Sequence, residues 1–321
     1  MPLIASTYKP KFLFKNSHFN TVFKTLFYNG KVFYERKRIA TPDNDYIDID
    51  FSTANSDTLL IVLHGLEGSS NSKYIISVVN ALNSKIIDCA AINFRGCSGT
   101  DNNKIYSYHS GKINDLELIV THILENYNYT NIVLLGYSMG GNVGLKFMGT
   151  SNLAVSVKGA IAVSVPCDLE GSSKILERWY NKIYLNRFMK SLKEKAILKA
   201  NKFPNEILNK DTIKSTTTFE EFDNVVTAPL FGFKNAKDYW NKNSCKQFIK
   251  NIYRPTLLIN ALDDSFLSSS CYPFSMATKN TNFYLETPKY GGHVGFNTFS
   301  SNGMGNWIDK RVFEFIQYII S

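Results

Sequence analysis

Making and breaking an acyl bond on a protein takes a nucleophile, a base to accept its proton, and an acid to orient that base. The chain offers a nucleophile in an unusual setting. Ser138 stands in Gly136-Tyr137-Ser138-Met139-Gly140, after the apolar run 132–135 and before residues 142–148, whose pattern is compatible with a helix. Strand, G-x-S-x-G, helix is the sequence form of a sharp turn that lifts a serine hydroxyl clear of a sheet. Glycines two before and two after the serine remove Cβ atoms that so tight a turn would not admit. The turn also brings the Met139 amide to the N-terminus of the next helix, where a free N–H and the helix dipole can stabilise a developing oxyanion.

Such a serine requires an acid and a histidine further along the chain, in that order. Asp263 and Asp264 follow the strand-like residues 254–260, and His293 sits in Tyr290-Gly291-Gly292-His293-Val294-Gly295-Phe296, behind a final strand-like run at 282–286. Asp264, three residues past Ala261 at the strand end, is preferred; Asp263 is left to anchor the loop or stay solvated, and Asp168 is a further alternative. None of the other histidines, His18, His64, His109 and His122, follows the last strand. His64 opens His64-Gly65-Leu66-Glu67-Gly68 and is read as a structural residue of that loop, whose Leu66 amide is assigned as the second oxyanion donor. In the triad Ser138, Asp264, His293, the imidazole takes the serine proton and returns it to the leaving group, while the carboxylate fixes the tautomer.

Each of these groups needs a rigid element behind it. Residues 31–39 and 46–51 read as an opening hairpin, and the alternation in the second suggests a half-buried strand. Residues 58–63, 86–94, 132–135 and 157–165 read as strands, with amphipathic runs at 74–82 and 111–126 between them. Alternation of this kind predicts an α/β fold with a mostly parallel central sheet flanked by helices and ligands at the carboxyl ends of its strands. After Pro166 the alternation stops for about ninety residues of helical pattern. Residues 1–165 and 254–321 are therefore expected to form the core, and 166–253 a helical cap inserted after the sixth strand, with Trp179, Phe188, Phe231 and Trp240 as candidate pocket walls. Residues 18–28 predict a helix with Phe19, Val22, Phe23, Leu26 and Phe27 on one face and Lys24 on the other, and 307–320 a closing helix.

Composition narrows the function classes. Of the net charge of +9, residues 1–40 contribute eight Lys/Arg against Glu35 alone, and residues 174–214 eleven against four acids. These segments are expected to be solvated faces; a weak peripheral contact with anionic membrane is their alternative use, and no nucleic-acid module accompanies them. The five cysteines are widely spaced and form no C-x-x-C, which suggests reduced thiols and a cytoplasmic protein. No signal-peptide pattern or membrane-spanning run is present, and no metal-ligand spacing, G-x-G-x-x-G or phosphate loop, so no cofactor or metal is expected.

Taken together, NSHFNT at 16–21, HGLEGSS at 64–70, NFRGCSG at 93–99, GYSMGGN at 136–142, NALDDSF at 260–266 and YGGHVGF at 290–296 span nearly the whole chain. In these motifs it resembles the YheT-like branch of the α/β-hydrolases, which includes bacterial hydrolases, eukaryotic ABHD-type proteins and relatives of medium-chain ethyl ester synthases. The resemblance implies the α/β-hydrolase fold, a serine esterase acting on short- to medium-chain acyl esters, and Ser138, Asp264 and His293 as its triad. It also admits acyl transfer to an alcohol or phospholipase action through the same acyl-enzyme, and, further off, a non-catalytic binding protein on this scaffold. Ser265 departs from the family's common proline after the Asp pair.

Overall fold

Short apolar runs alternate with amphipathic ones along most of this chain, and they fold as helices against a nine-stranded sheet. The computed structural model describes residues 2–204, 207–300 and 303–321. The strands are β1 (Leu3–Ile4), β2 (Glu35–Ala40), β3 (Tyr46–Ser52), β4 (Thr58–Leu63), β5 (Asp88–Asn93), β6 (Asn131–Tyr137), β7 (Gly159–Val163), β8 (Thr256–Ile259) and β9 (Phe283–Glu286). Their order across the sheet is β1-β9-β8-β7-β6-β4-β5-β3-β2. The pairs from β1 to β5 along that order are parallel, while β3 runs antiparallel to both β5 and β2. A separate antiparallel pair joins Asn297–Ser300 to Gly303–Asn306.

Helices α1 (Ser17–Phe27), α2 (Lys73–Asn83), α3 (Asn114–Asn126) and α4 (Met139–Thr150) are interleaved with the strands as the periodicity suggests. Between β7 and β8 come α5 (Leu169–Leu176), α6 (Lys182–Lys202), α7 (Lys210–Ser215), α8 (Phe219–Phe222), α9 (Ala228–Phe231) and α10 (Ala236–Asn243), with no strand among the described residues of that stretch. Helices α11 (Phe274–Lys279) and α12 (Trp307–Ile320) complete the chain.

A continuous apolar strand signals burial on both faces, and β4 and β6 show why. Leu59, Ile61, Leu63, Ile132 and Leu134 share one core with Leu116 and Ile119 of α3 and Val143 and Phe147 of α4. Their alternate neighbours Leu60, Val62, Val133 and Leu135 share the opposite core with Val78 and Leu82 of α2 and Val312 and Ile316 of α12. Each fully buried Leu, Ile or Val contributes about 1.5–3 kcal/mol, so these central strands are the firmest part of the molecule. Ser138 and the loop that begins at His64 are attached to their ends.

Two expectations need correcting, and one strand is an addition. The alternation in β3 suggested a solvent face, yet Asp48 and Asp50 are buried, because Arg38 and Arg36 of β2 stand directly opposite and form paired hydrogen bonds with them. In α1 the buried residues are Asn20, Phe23 and Lys24, while Leu26 and Phe27 are exposed. That helix is rotated so that its polar residues serve a neighbouring loop, described below. Finally, β1 was not foreseen, since a two-residue strand whose pairing is supplied by β9 carries no periodicity of its own.

Candidate active site

Ser138 is the single residue between β6 and α4, with φ 51° and ψ −120°. A non-glycine residue in that region is strained, and here the surroundings impose it. Its amide donates to the Val163 carbonyl at 2.8 Å, and its carbonyl accepts from Asn142 at 3.1 Å. A Cβ on Gly136 would come within 2.5 Å of the Gly140 carbonyl oxygen, and one on Gly140 within 2.5 Å of the His64 carbonyl oxygen. The two glycines thus let strand, helix and the β4 loop converge on the serine. As the first residue of α4, Met139 has no acceptor for its amide within the helix.

The loop after β4 is held tightly beside this turn. His64 is buried, its Nδ1 lies 2.7 Å from the Gly65 carbonyl oxygen, and its Nε2 accepts from the Phe94 amide at 3.2 Å. Burial pushes its pKa down to about 4, so the ring is a neutral structural element, as the sequence suggested. Gly65 lies against the serine: a Cβ there would be 3.2 Å from the Ser138 Cβ. Beyond it, Glu67 bonds the Tyr108 hydroxyl at 2.5 Å and Lys195 of α6 at 3.1 Å. No protein acceptor for the Leu66 amide is found among the described residues.

The acid loop and the histidine loop meet the serine from the other side. Asp264 Oδ2 is 2.9 Å from His293 Nδ1, and His293 Nε2 is 3.0 Å from Ser138 Oγ. Both side chains are nearly withdrawn from solvent. Phe266 stacks on the imidazole with centroids 4.2 Å apart, and its amide donates to Asp264 Oδ1 at 2.9 Å. Asp263 faces elsewhere: its Oδ1 accepts the Gly292 amide at 2.9 Å and so anchors the histidine loop. Burial, with the Asp264 charge added, pushes the Asp263 carboxyl up to about 6 against the pull of that N–H. Asp168 lies apart from the serine's partners, capping α5 through the Gly171 amide and accepting from Ser270.

Sequence reasoning missed what fixes the histidine loop. Thr21 Oγ1 of α1 accepts the His293 amide at 2.9 Å, and Ser164 Oγ accepts the Val294 amide at 2.9 Å. Asn20 is wholly buried; its Oδ1 accepts the Asn297 amide at 3.0 Å and its Nδ2 donates to Tyr8 and Phe14. A Cβ on Gly292 would collide with the Ser17 carbonyl oxygen at 2.4 Å, which explains the glycine before the histidine. The signal was the pair Asn20-Thr21 between the aromatic residues Phe19 and Phe23 of the helix.

A cavity of about 390 Å³ opens from Ser138, Met139, Leu66 and His293. Leu176, Phe188, Leu192, Phe222, Val226 and Leu230, all from the segment between β7 and β8, line much of it. Phe231 and Trp240 also line it, whereas Trp179 does not: it is 84% exposed. A 3₁₀ turn at Trp179–Asn181 interrupts the helical run there and rotates the indole outward. The cations that reach the cavity are already engaged, Arg95 by Asp43, Asp45 and Asp115, Lys195 by Glu67 and Lys199 by Asp101. Among the described residues no group of three His, Cys, Asp or Glu could hold a metal, no helix is long and apolar enough to cross a membrane, and all five cysteines are free and buried.

The family model for the alpha/beta hydrolase fold matches residues 58–296. The chain is 30% identical over 305 residues to the "Putative esterase YheT" of Escherichia coli, covering 93% of this chain and 89% of that protein. It is 26% identical over 330 aligned positions to phospholipase ABHD3 of Mus musculus, covering 99% of this chain and 80% of that protein. Among solved structures, the Pyrococcus furiosus esterase Pf2001 shares the fold, with a TM-score of 0.60 at 18% identity over 89% of this chain and 91% of the other.

Proposed function

The chain belongs to the α/β-hydrolase family, in its YheT-like, ABHD-type branch, and from that premise we propose that it is a serine carboxylesterase for short- to medium-chain acyl esters. One observation carries the reading. The hydrogen-bonded line Asp264–His293–Ser138, with steps of 2.9 and 3.0 Å, ends in the wall of a largely apolar cavity. The names of the similar proteins, an esterase and a phospholipase, agree with ester chemistry.

In this mechanism His293 takes the Ser138 proton as the oxygen attacks the ester carbonyl. The amides of Met139 and Leu66 receive the oxyanion, and loss of one such donor costs on the order of 3 kcal/mol of barrier. His293 then protonates the departing alcohol and leaves an acyl group on Ser138; water, activated by the same imidazole, releases the acid. Asp264 holds the imidazole with Nε2 toward the serine and stabilises its cation. Residues 166–253 act as the cap, whose apolar side chains take the acyl chain out of water.

The test is hydrolysis of p-nitrophenyl esters from acetyl to dodecanoyl by the wild type and by Ser138→Ala. Turnover of short or medium esters that the variant nearly abolishes supports the reading; two inert or equally active proteins would overturn it. A second reading, esters held at an anionic membrane, draws on Phe12, Trp179 and Ile183, exposed by 84%, 84% and 76% within the two basic segments. Salt-sensitive binding to anionic vesicles would favour it. The engaged state of Arg95, Lys195 and Lys199 argues against a phosphate site inside the cavity.

A further inference from the structure

The cavity wall is not uniformly apolar, and its polar part is built in a particular way. Asp223 begins a π-helical turn, Asp223–Thr227, between α8 and α9. Single π turns inside helices are rare and gather at functional sites. Asp223 lines the cavity beside Phe222, Val226 and Leu230. Its Oδ1 accepts from the Thr227 hydroxyl at 2.5 Å and its Oδ2 from the Trp240 indole N–H at 2.8 Å. Each oxygen keeps a further lone pair, and no lysine or arginine among the described residues forms an ion pair with it. Tying Trp240 to the π turn needs only one acceptor, which an amide or a hydroxyl would supply without a buried acid. The carboxyl is retained in spite of burial, which pushes its pKa up to about 6.

A donor lies on the same wall. Tyr239, next to Trp240, accepts the Ser110 amide at 2.9 Å through its hydroxyl oxygen, and the Ser110 side chain, which can donate to the same oxygen, leaves the phenol proton for a further partner. His109 offers a second: its Nδ1 accepts the Gly111 amide at 3.2 Å, which leaves the proton on Nε2, and burial holds the ring neutral with a pKa near 3. Spare acceptors and spare donors on residues that line one apolar cavity are complementary to a neutral group that both gives and receives a hydrogen bond. A hydroxyl does this. An alkyl chain would leave both sides unmet, and a carboxylate would be repelled.

We propose that Asp223 and Tyr239 form a hydroxyl-recognition station in the cavity, so that the preferred substrate is an ester carrying a free hydroxyl. The inference rests on the ester-hydrolase reading above and narrows its substrate class. The hydroxyl donates to the Asp223 carboxylate and accepts from Tyr239, and it sits on either the acyl chain or the alcohol portion. A site built to bond a hydroxyl discriminates against the analogue lacking it far more strongly than an apolar pocket discriminates a methylene.

The experiment compares kcat/KM for matched ester pairs in two arms. In the first, p-nitrophenyl 6-hydroxyhexanoate, 8-hydroxyoctanoate and 10-hydroxydecanoate are set against the parents with a terminal methyl. In the second, 2-hydroxyethyl octanoate is set against propyl octanoate. The account expects a preference of about tenfold or more for a hydroxylated member in one arm, and that arm identifies the portion bearing the group. In Asp223→Asn and in Tyr239→Phe, which leaves the Asp223–Trp240 bond intact, the ratio should fall toward one. A wild-type ratio of one or less in both arms, or a preference that neither variant reduces, overturns the inference. Turnover of every ester by Ser138→Ala at the wild-type rate would instead overturn the esterase reading itself.

Discussion

The Thr21 hydroxyl accepts the His293 backbone N–H at 2.9 Å, although 272 residues separate the two along the chain. A helix near the N-terminus thereby sets the position of the proposed general base. The same hydroxyl donates to the Ser17 carbonyl at 2.8 Å, so its orientation is fixed from within α1.

Thr21→Val keeps the shape of the side chain and removes the acceptor. An unpaired amide in this setting costs about 1–3 kcal/mol, and the cost falls on the loop that must aim the imidazole. We expect kcat on a p-nitrophenyl ester to drop by about tenfold or more with little change in KM, and Thr21→Ser to restore it. If Thr21→Val lowers only the melting temperature and leaves kcat intact, Thr21 supports the fold and does not position the base.

The neighbouring carboxylates are predicted to behave very differently. Asp264→Asn alters the partner of His293 Nδ1 and should lower kcat by on the order of 10³- to 10⁴-fold. Asp263→Asn alters the contact with the Gly292 amide and leaves the His293 partner in place, so it should lower kcat by less than about tenfold. Steady-state rates of the two variants decide the matter, and a reversed order would assign the acid to Asp263.

Two glycine positions separate geometric need from tolerance. At Gly136 a Cβ meets backbone atoms of Gly140 and Gly141 at 2.5–2.6 Å, and backbone has nowhere to move, so Gly136→Ala should cost several kcal/mol or prevent folding. At Gly144, inside α4, the nearest atom to a Cβ is 3.7 Å away on the Leu63 side chain. Gly144→Ala should therefore stabilise by about 0.5–1 kcal/mol through helix propensity and a stiffer unfolded chain. Urea unfolding of both variants measures this, and equal effects would contradict the geometry.

Stability should also depend on pH through Asp223. Its folded pKa, about 6, is raised above the unfolded value of about 3.9, so protonation favours the folded state. That contribution is complete below about pH 4 and is lost as the pH rises through 6. Asp223→Asn has no such dependence. Relative to wild type it should gain stability between pH 4 and pH 7, by up to about 3 kcal/mol. A stability difference that stays constant across this range would show that the buried carboxyl titrates normally.

How far the sequence could be read follows from where each signal lies. Residues 58–63 and 132–135 announced central strands because burial on both faces leaves no polar position, and the strained turn at Ser138 announced itself through its glycines. Asp48, Asp50 and Lys24 misled for one shared reason. Periodicity assumes that polar residues face water, whereas Arg36 and Arg38 cover the two aspartates from the next strand, and α1 turns Lys24 inward so that Asn20 and Thr21 can reach the histidine loop. Trp179 was misplaced because helical spacing does not reveal a 3₁₀ turn that rotates one residue outward. Contacts such as Thr21 to His293 join distant segments and leave no local trace in the sequence.

The central claim is that Ser138 carries the acyl group during turnover. Wild-type protein mixed with p-nitrophenyl octanoate and acid-quenched within the first turnovers should show an intact-mass increase of one octanoyl group, and fragmentation should map it to the peptide containing Ser138. Ser138→Ala should show neither the adduct nor the burst of p-nitrophenol. Ester turnover by Ser138→Ala at the wild-type rate, or an adduct mapped to another residue, would contradict the account.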